Sequence, residues 1–144
     1  MIADNRREMI ANEILDSLIG LFCHPRGDKD VRLNVAKTLA NLAANENCRK
    51  AVFTPEVLRP LIKMIHARRK KEARDVQVVA ISALCNMTAT PELCHLLIEQ
   101  KGMEHVVELL FVEDDAIRSR ASQTVLNMAY RYGIRVMTGS VHGV

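Results

Sequence analysis

The chain repeats itself at a spacing of a little over forty residues, and three separate strings keep that register. Asn41-Leu42-Ala43, Asn86-Met87-Thr88 and Asn127-Met128-Ala129 recur at intervals of 45 and 41 residues. Ser17-Leu18-Ile19-Gly20-Leu21-Phe22, Pro60-Leu61-Ile62-Lys63-Met64-Ile65 and His105-Val106-Val107-Glu108-Leu109-Leu110 share the form x-apolar-apolar-x-apolar-apolar, at intervals of 43 and 45. Met9-Ile10, Val52-Phe53 and Leu97-Ile98 precede these at the same intervals of 43 and 45. A fixed period in this range marks a stacked architecture, in which no unit buries its apolar face alone.

Each string has helical spacing. Val35, Leu39 and Leu42 lie on one face, matched by Ala80, Leu84 and Met87 and by Ala121, Val125 and Met128. The unit is therefore three helices, one short and two longer. The expected spans are 4–11, 13–22 and 29–43; 46–53, 56–67 and 73–88; 91–99, 103–111 and 114–131. Pro25 and Gly27 fall between helices, Pro55 and Pro91 suit helix starts, and Gly102 separates two apolar runs. Pro60 sits early in its helix and argues for a later start than position 56. The repeats cover about 4–43, 45–88 and 90–131 of a domain at 1–133, and the weakly periodic tail 134–144 is expected to be flexible.

Composition agrees. The 144 residues include three Phe, two Tyr and no Trp, so Leu, Ile, Val, Ala and Met must build the core. That palette suits packed helices better than a β-sandwich. Cys23, Cys48, Cys85 and Cys94 contain no Cys-x-x-Cys pair, which argues against a zinc framework or dense disulfides. The start of the chain lacks a signal-peptide pattern, and no apolar run approaches the roughly 18–20 residues of a membrane span. An intracellular, cytoplasmic protein is expected.

A unit of this length with three helices resembles the armadillo repeat. The third helix of that family ends broadly in Leu-x-Asn-Leu. Leu39-Ala40-Asn41-Leu42 matches it, Leu84-Cys85-Asn86-Met87 is close, and Val125-Leu126-Asn127-Met128 is looser. The resemblance covers about residues 4–131. It implies an all-α fold, a right-handed α-solenoid of three armadillo-like repeats. It also implies a non-catalytic scaffold that holds a partner segment along a concave surface of third helices.

By the same resemblance, Asn41, Asn86 and Asn127 form a ladder that bonds the main chain of an extended ligand. An amide suits this role because it both donates and accepts. The alternative is structural: such an Asn can satisfy helix-terminal carbonyls with no ligand. One turn earlier stand Lys37, Ser82 and Gln123, and two turns earlier Asn34, Val79 and Arg120. Importin-type members often carry Trp one turn before the ladder; with no Trp in the chain, classical nuclear-signal binding is not expected. Lys37 and Arg120 favour an acidic or neutral segment over a basic one.

Lys63, Arg68, Arg69, Lys70, Lys71 and Arg74 form the densest charge cluster. It can meet an acidic partner, RNA, an acidic membrane or a nuclear import receptor, or simply complement a helix C-terminus in solvent. No aromatic interleaves it, which argues against nucleic acid. Glu113-Asp114-Asp115 occupies the matching junction of repeat three and is expected to cap the next helix. His24, His66, His95, His105 and His142 are scattered along the chain. Cys23-His24 and Cys94-His95 are sequence neighbours that cannot face each other on a helix. No catalytic site, metal or cofactor is expected. The terminal repeats lack evident polar caps, so self-association or docking into a larger cytoskeletal, ciliary or ribonucleoprotein assembly is the alternative reading.

Overall fold

The computed structural model describes residues 2–23, 28–66 and 73–130. Its helices are α1 (Ile2–Cys23), α2 (Lys29–Ala43), α3 (Glu46–Val52), α4 (Pro55–Ile65), α5 (Ala73–Thr88), α6 (Pro91–Glu99), α7 (Met103–Glu108) and α8 (Asp115–Met128), with a 3-10 turn at Leu109–Phe111. No strand occurs among the described residues. The fold is an all-α solenoid. The tail expected to be flexible at 134–144 lies outside the described residues.

Capping side chains set the starts. Asp28 accepts from the Asp30 N–H, Asn45 from Asn47, Thr54 from Val57 and Asp114 from both Ala116 and Ile117. Each satisfies donors that the first helical turn leaves unpaired. Pro55 and Pro91 each occupy a first-turn position, where the missing N–H costs nothing.

Repeat one departs from expectation. The helices expected at 4–11 and 13–22 are a single helix, α1. The other two repeats break at Thr54-Pro55 and Lys101-Gly102, but Ala11 and Asn12 occupy the position that corresponds to Thr54-Pro55. Nothing there interrupts the helical ladder, so the chain continues through it.

Pro60 also departs from expectation. The helix does not start late: α4 begins at Pro55 and carries Pro60 inside it. A proline here leaves the Glu56 carbonyl without its helical donor. The Cys23 thiol, from the end of α1, donates to that carbonyl at 3.3 Å. Partial burial, followed by the nearby Glu56 charge, pushes the Cys23 pKa up, which keeps the thiol protonated for this bond. The proline break is thus repaired from the neighbouring repeat.

Helix α6 ends in a Schellman motif. The Gly102 N–H reaches the Leu97 carbonyl at 2.9 Å and the Lys101 N–H reaches Ile98 at 3.0 Å. Lys101 adopts φ 58°, the left-handed position usually given to glycine. Lys101→Gly should therefore stabilise the fold by about 1 kcal/mol by removing this strain. A urea midpoint that falls in the variant would contradict this.

The core runs along the row of third helices. Helix α5 packs against α2 on one side, α8 on the other, and α4 beneath. Ile81, Leu84 and Met87 of α5 are fully buried, in one cluster with Phe22, Leu58, Ile65, Leu97 and Ile117. At the two ends apolar side chains stay uncovered: Met9, Ile10, Ile14 and Leu21 on α1, and Phe111, Leu126 and Tyr130 beyond repeat two.

Candidate functional site

Helices α2, α5 and α8 lie side by side, and the nine expected groove positions run along them. Asn34, Lys37 and Asn41 on α2 are exposed, as are Arg120 and Gln123 on α8. Ser82, Asn86 and Asn127 are half-buried, and Val79 is buried. The row is therefore open at its flanks and closer-packed at its centre.

The asparagines are joined in a relay. Asn127 Nδ2 donates to the Cys85 carbonyl at 3.4 Å and to Thr88 Oγ1 at 3.2 Å. Asn86 Nδ2 donates to the Ala40 carbonyl at 3.1 Å. Cys85 and Ala40 each stand one residue before the preceding asparagine of the series. Each amide thus ties its helix to the carbonyl ladder of the repeat before it. Gln123 Nε2 donates to Asn127 Oδ1 at 2.9 Å and fixes that amide's orientation. Thr88, fully buried, donates in turn to the Cys85 carbonyl at 3.0 Å. Asn41 has no such bond among the described residues, because α2 is the first helix of the row. In their donor role, Asn86 and Asn127 serve the interface between repeats.

The second and third repeats are laced by further polar contacts. Arg49 donates from Nε to the Ala43 carbonyl at 2.9 Å, from Nη2 to Ala44 at 3.2 Å and from Nη1 to Thr90 Oγ1 at 3.1 Å. It satisfies carbonyls at the end of α2 while reaching the cap of α6. Lys50 pairs with Glu92 at 4.0 Å, and Arg59 Nε meets Gln100 Oε1 at 3.4 Å.

Within the basic cluster, Lys63 is exposed, and Arg68, Arg69, Lys70 and Lys71 lie outside the described residues. Arg74 is committed elsewhere: it pairs with Asp114, the cap of α8, and with Asp75. Asp114 has the capping role expected of the acidic stretch. Its carboxyl is held below its ordinary value of 3.8, first by the Arg74 hydrogen bond and then by the Ile117 N–H. A carboxyl lowered on folding contributes stability that is complete above its unfolded value and is lost as pH falls through its folded value. Stability should therefore fall more steeply below about pH 4 in the parent than in Asp114→Asn, which keeps a capping oxygen but not the charge. Urea midpoints across that range, superimposable for the two proteins, would contradict this.

The histidines are less scattered than the sequence suggests. His66, at the end of α4, and His105, on α7, have ring centroids 4.3 Å apart. Glu108 Oε2 lies 3.9 Å from His66 Nδ1 and 4.0 Å from His105 Nδ1. The repeat register gives no signal for this: at the spacing of 45 that aligns Pro60 with His105, His66 falls opposite Phe111 and Glu108 opposite Lys63. The cysteines form no disulfide, and Cys85 and Cys94 are buried.

No family model matches the sequence, and neither does any curated protein. Solved structures do match. A computationally designed armadillo repeat protein for modular peptide recognition is 25% identical, with a TM-score of 0.68 over 80% of this chain and 47% of its own. A designed armadillo repeat protein in complex with the peptide (KR)4 is 22% identical, with a TM-score of 0.71 over 85% of this chain and 50% of its own. An engineered protein that is 26% identical matches with a TM-score of 0.67 over 80% of this chain and 46% of its own.

The chain has an armadillo-like repeat fold. It spans about half the length of these matched structures. In the armadillo-like frame, α2, α5 and α8 are the third helices of three repeats, and α1 combines the first two helices of repeat one. No described helix is long and apolar enough to cross a membrane.

Proposed function

We propose that the chain is a non-catalytic protein-binding scaffold whose partner is an extended, acidic or neutral segment lying along α2, α5 and α8. The observation that carries this reading is the row of polar side chains on adjacent third helices, interrupted at the buried Val79, with Lys37 and Arg120 exposed at its flanks. The peptide recognition named for two of the designed neighbours supports it. The bound (KR)4 peptide belongs to that neighbour. The cations here and the absence of Trp favour the opposite charge.

The relay decides which variants are informative. Removing Asn86 and Asn127 would loosen the repeats as well as the groove. Lys37 and Arg120 are exposed and make no side-chain bond among the described residues, so they report on the ligand alone. Peptides selected from a displayed random library should be poor in Lys and Arg, and Lys37→Glu with Arg120→Glu should weaken the best of them by about tenfold or more. Selection of basic peptides, or affinity unaffected by both reversals, overturns the reading.

A second reading has its own observation. Apolar side chains are uncovered at both ends, including Phe111 at 82% exposure. Docking into a larger assembly, or self-association, would cover them. Sedimentation showing one species from low to high concentration would count against self-association.

A further inference from the structure

The geometry points to a transition-metal site, with Zn2+ its natural ion, formed by His66, His105 and Glu108 at the seam between repeats two and three. The three side chains come from two helices that the sequence keeps far apart. His105 and Glu108 are one turn apart on α7, and His66 is the residue that ends α4. One ligand atom from each lies within 4.8 Å of the others. Two imidazoles and one carboxylate are a zinc-type donor set, with a fourth position left for water or a partner's side chain.

Two observations go beyond proximity. His105 Nδ1 is buried and has no hydrogen-bond partner, an arrangement that costs energy unless something occupies it. The rings of His66 and His105 also sit at contact distance, 4.3 Å between centroids, beside a shared carboxylate. A cation between the rings would satisfy both imidazoles together with Glu108.

Zinc bonds of about 2.0–2.1 Å place tetrahedral ligands roughly 3.4 Å apart, so the three atoms must close by about an ångström. The movement falls to the more exposed members, His66 at 48% and Glu108 at 46%. His105 is the anchor, since it is the more buried of the two histidines at 24%. Binding would clip α4 to α7 and so stiffen the stack where the basic run begins. The site is independent of the proposed peptide groove, because neither helix contributes a groove residue.

The test is calorimetric titration of the intact chain with Zn2+ near neutral pH, followed by absorption spectroscopy of the Co2+-loaded protein. The expected result is saturable one-to-one binding, a tetrahedral Co2+ spectrum and a raised thermal midpoint. His66→Ala, His105→Ala and Glu108→Ala should each weaken binding more than the roughly tenfold that loss of even an outer-shell partner causes. Cys48→Ser and His95→Ala should bind as the parent does. His66 and Glu108 are surface side chains, so their variants keep the question open to test even if His105→Ala is poorly folded. No binding, binding unchanged in any of the three site variants, or binding lost in Cys48→Ser overturns the proposal.

Discussion

Leu84→Ala should destabilise the protein by about 3 kcal/mol, within the range of roughly 2–5 kcal/mol for emptying a buried leucine site. Leu84 is fully buried on α5, and α5 is the helix that touches both other third helices. The lost methyl groups leave a cavity that neighbours on both sides cannot fill without breaking their own packing. A domain of this size is stable by about 5–15 kcal/mol, so the loss is a large fraction of the total. Leu126→Ala on α8 provides the contrast. That residue is 59% exposed, and its truncation should change stability by less than about 0.5 kcal/mol. Urea unfolding of the two variants decides the matter. Equal losses would mean that α5 is not the central helix of the core.

Gly102→Val should cost about 2–3 kcal/mol, the scale of overpacking a filled core. Gly102 has an ordinary φ of −84°, so backbone freedom is not its reason for being there. Space is. A Cβ at this position would lie 2.4 Å from Leu97 Cδ1 and 3.1 Å from Ile62 Cδ1. Both side chains belong to the buried core and have no solvent to retreat into. The adjacent residue carries the opposite burden, since Lys101 holds the positive φ and tolerates glycine. The two neighbours should thus respond with opposite signs, Lys101→Gly gaining stability and Gly102→Val losing it. Thermal or urea midpoints moving in the same direction would contradict this reading of the turn.

Much of the fold was legible because the strings that repeat are the ones the core uses. Leu39, Leu84 and Ala121 were expected on the inner face and are buried. What misled the reading of repeat one was analogy between repeats. Met9-Ile10 aligns with Val52-Phe53, yet the first pair is exposed on a continuous helix and the second is buried before a proline. Apolar character recurs there, whereas the break depends on Thr54-Pro55, which has no counterpart. Pro60 misled in the other direction. A lone sequence cannot show that a thiol from another helix will take the carbonyl it frees.

The asparagines show a different limit. Their recurrence was visible at once, but their donor role depends on which carbonyl the preceding repeat presents. The relay from Asn127 to Cys85 and from Asn86 to Ala40 emerges only when the helices are set side by side. The His66, His105 and Glu108 cluster was hidden for the same reason. Each residue was unremarkable alone, and the repeat spacing brings them together.

The row of third helices is proposed to hold an extended, acidic or neutral segment. Amide chemical-shift mapping of the labelled chain with a selected acidic peptide tests it most directly. Perturbations should group on α2, α5 and α8, around Lys37, Ser82, Gln123 and Arg120. Perturbations confined to α1, or to α4 and α7, would contradict it.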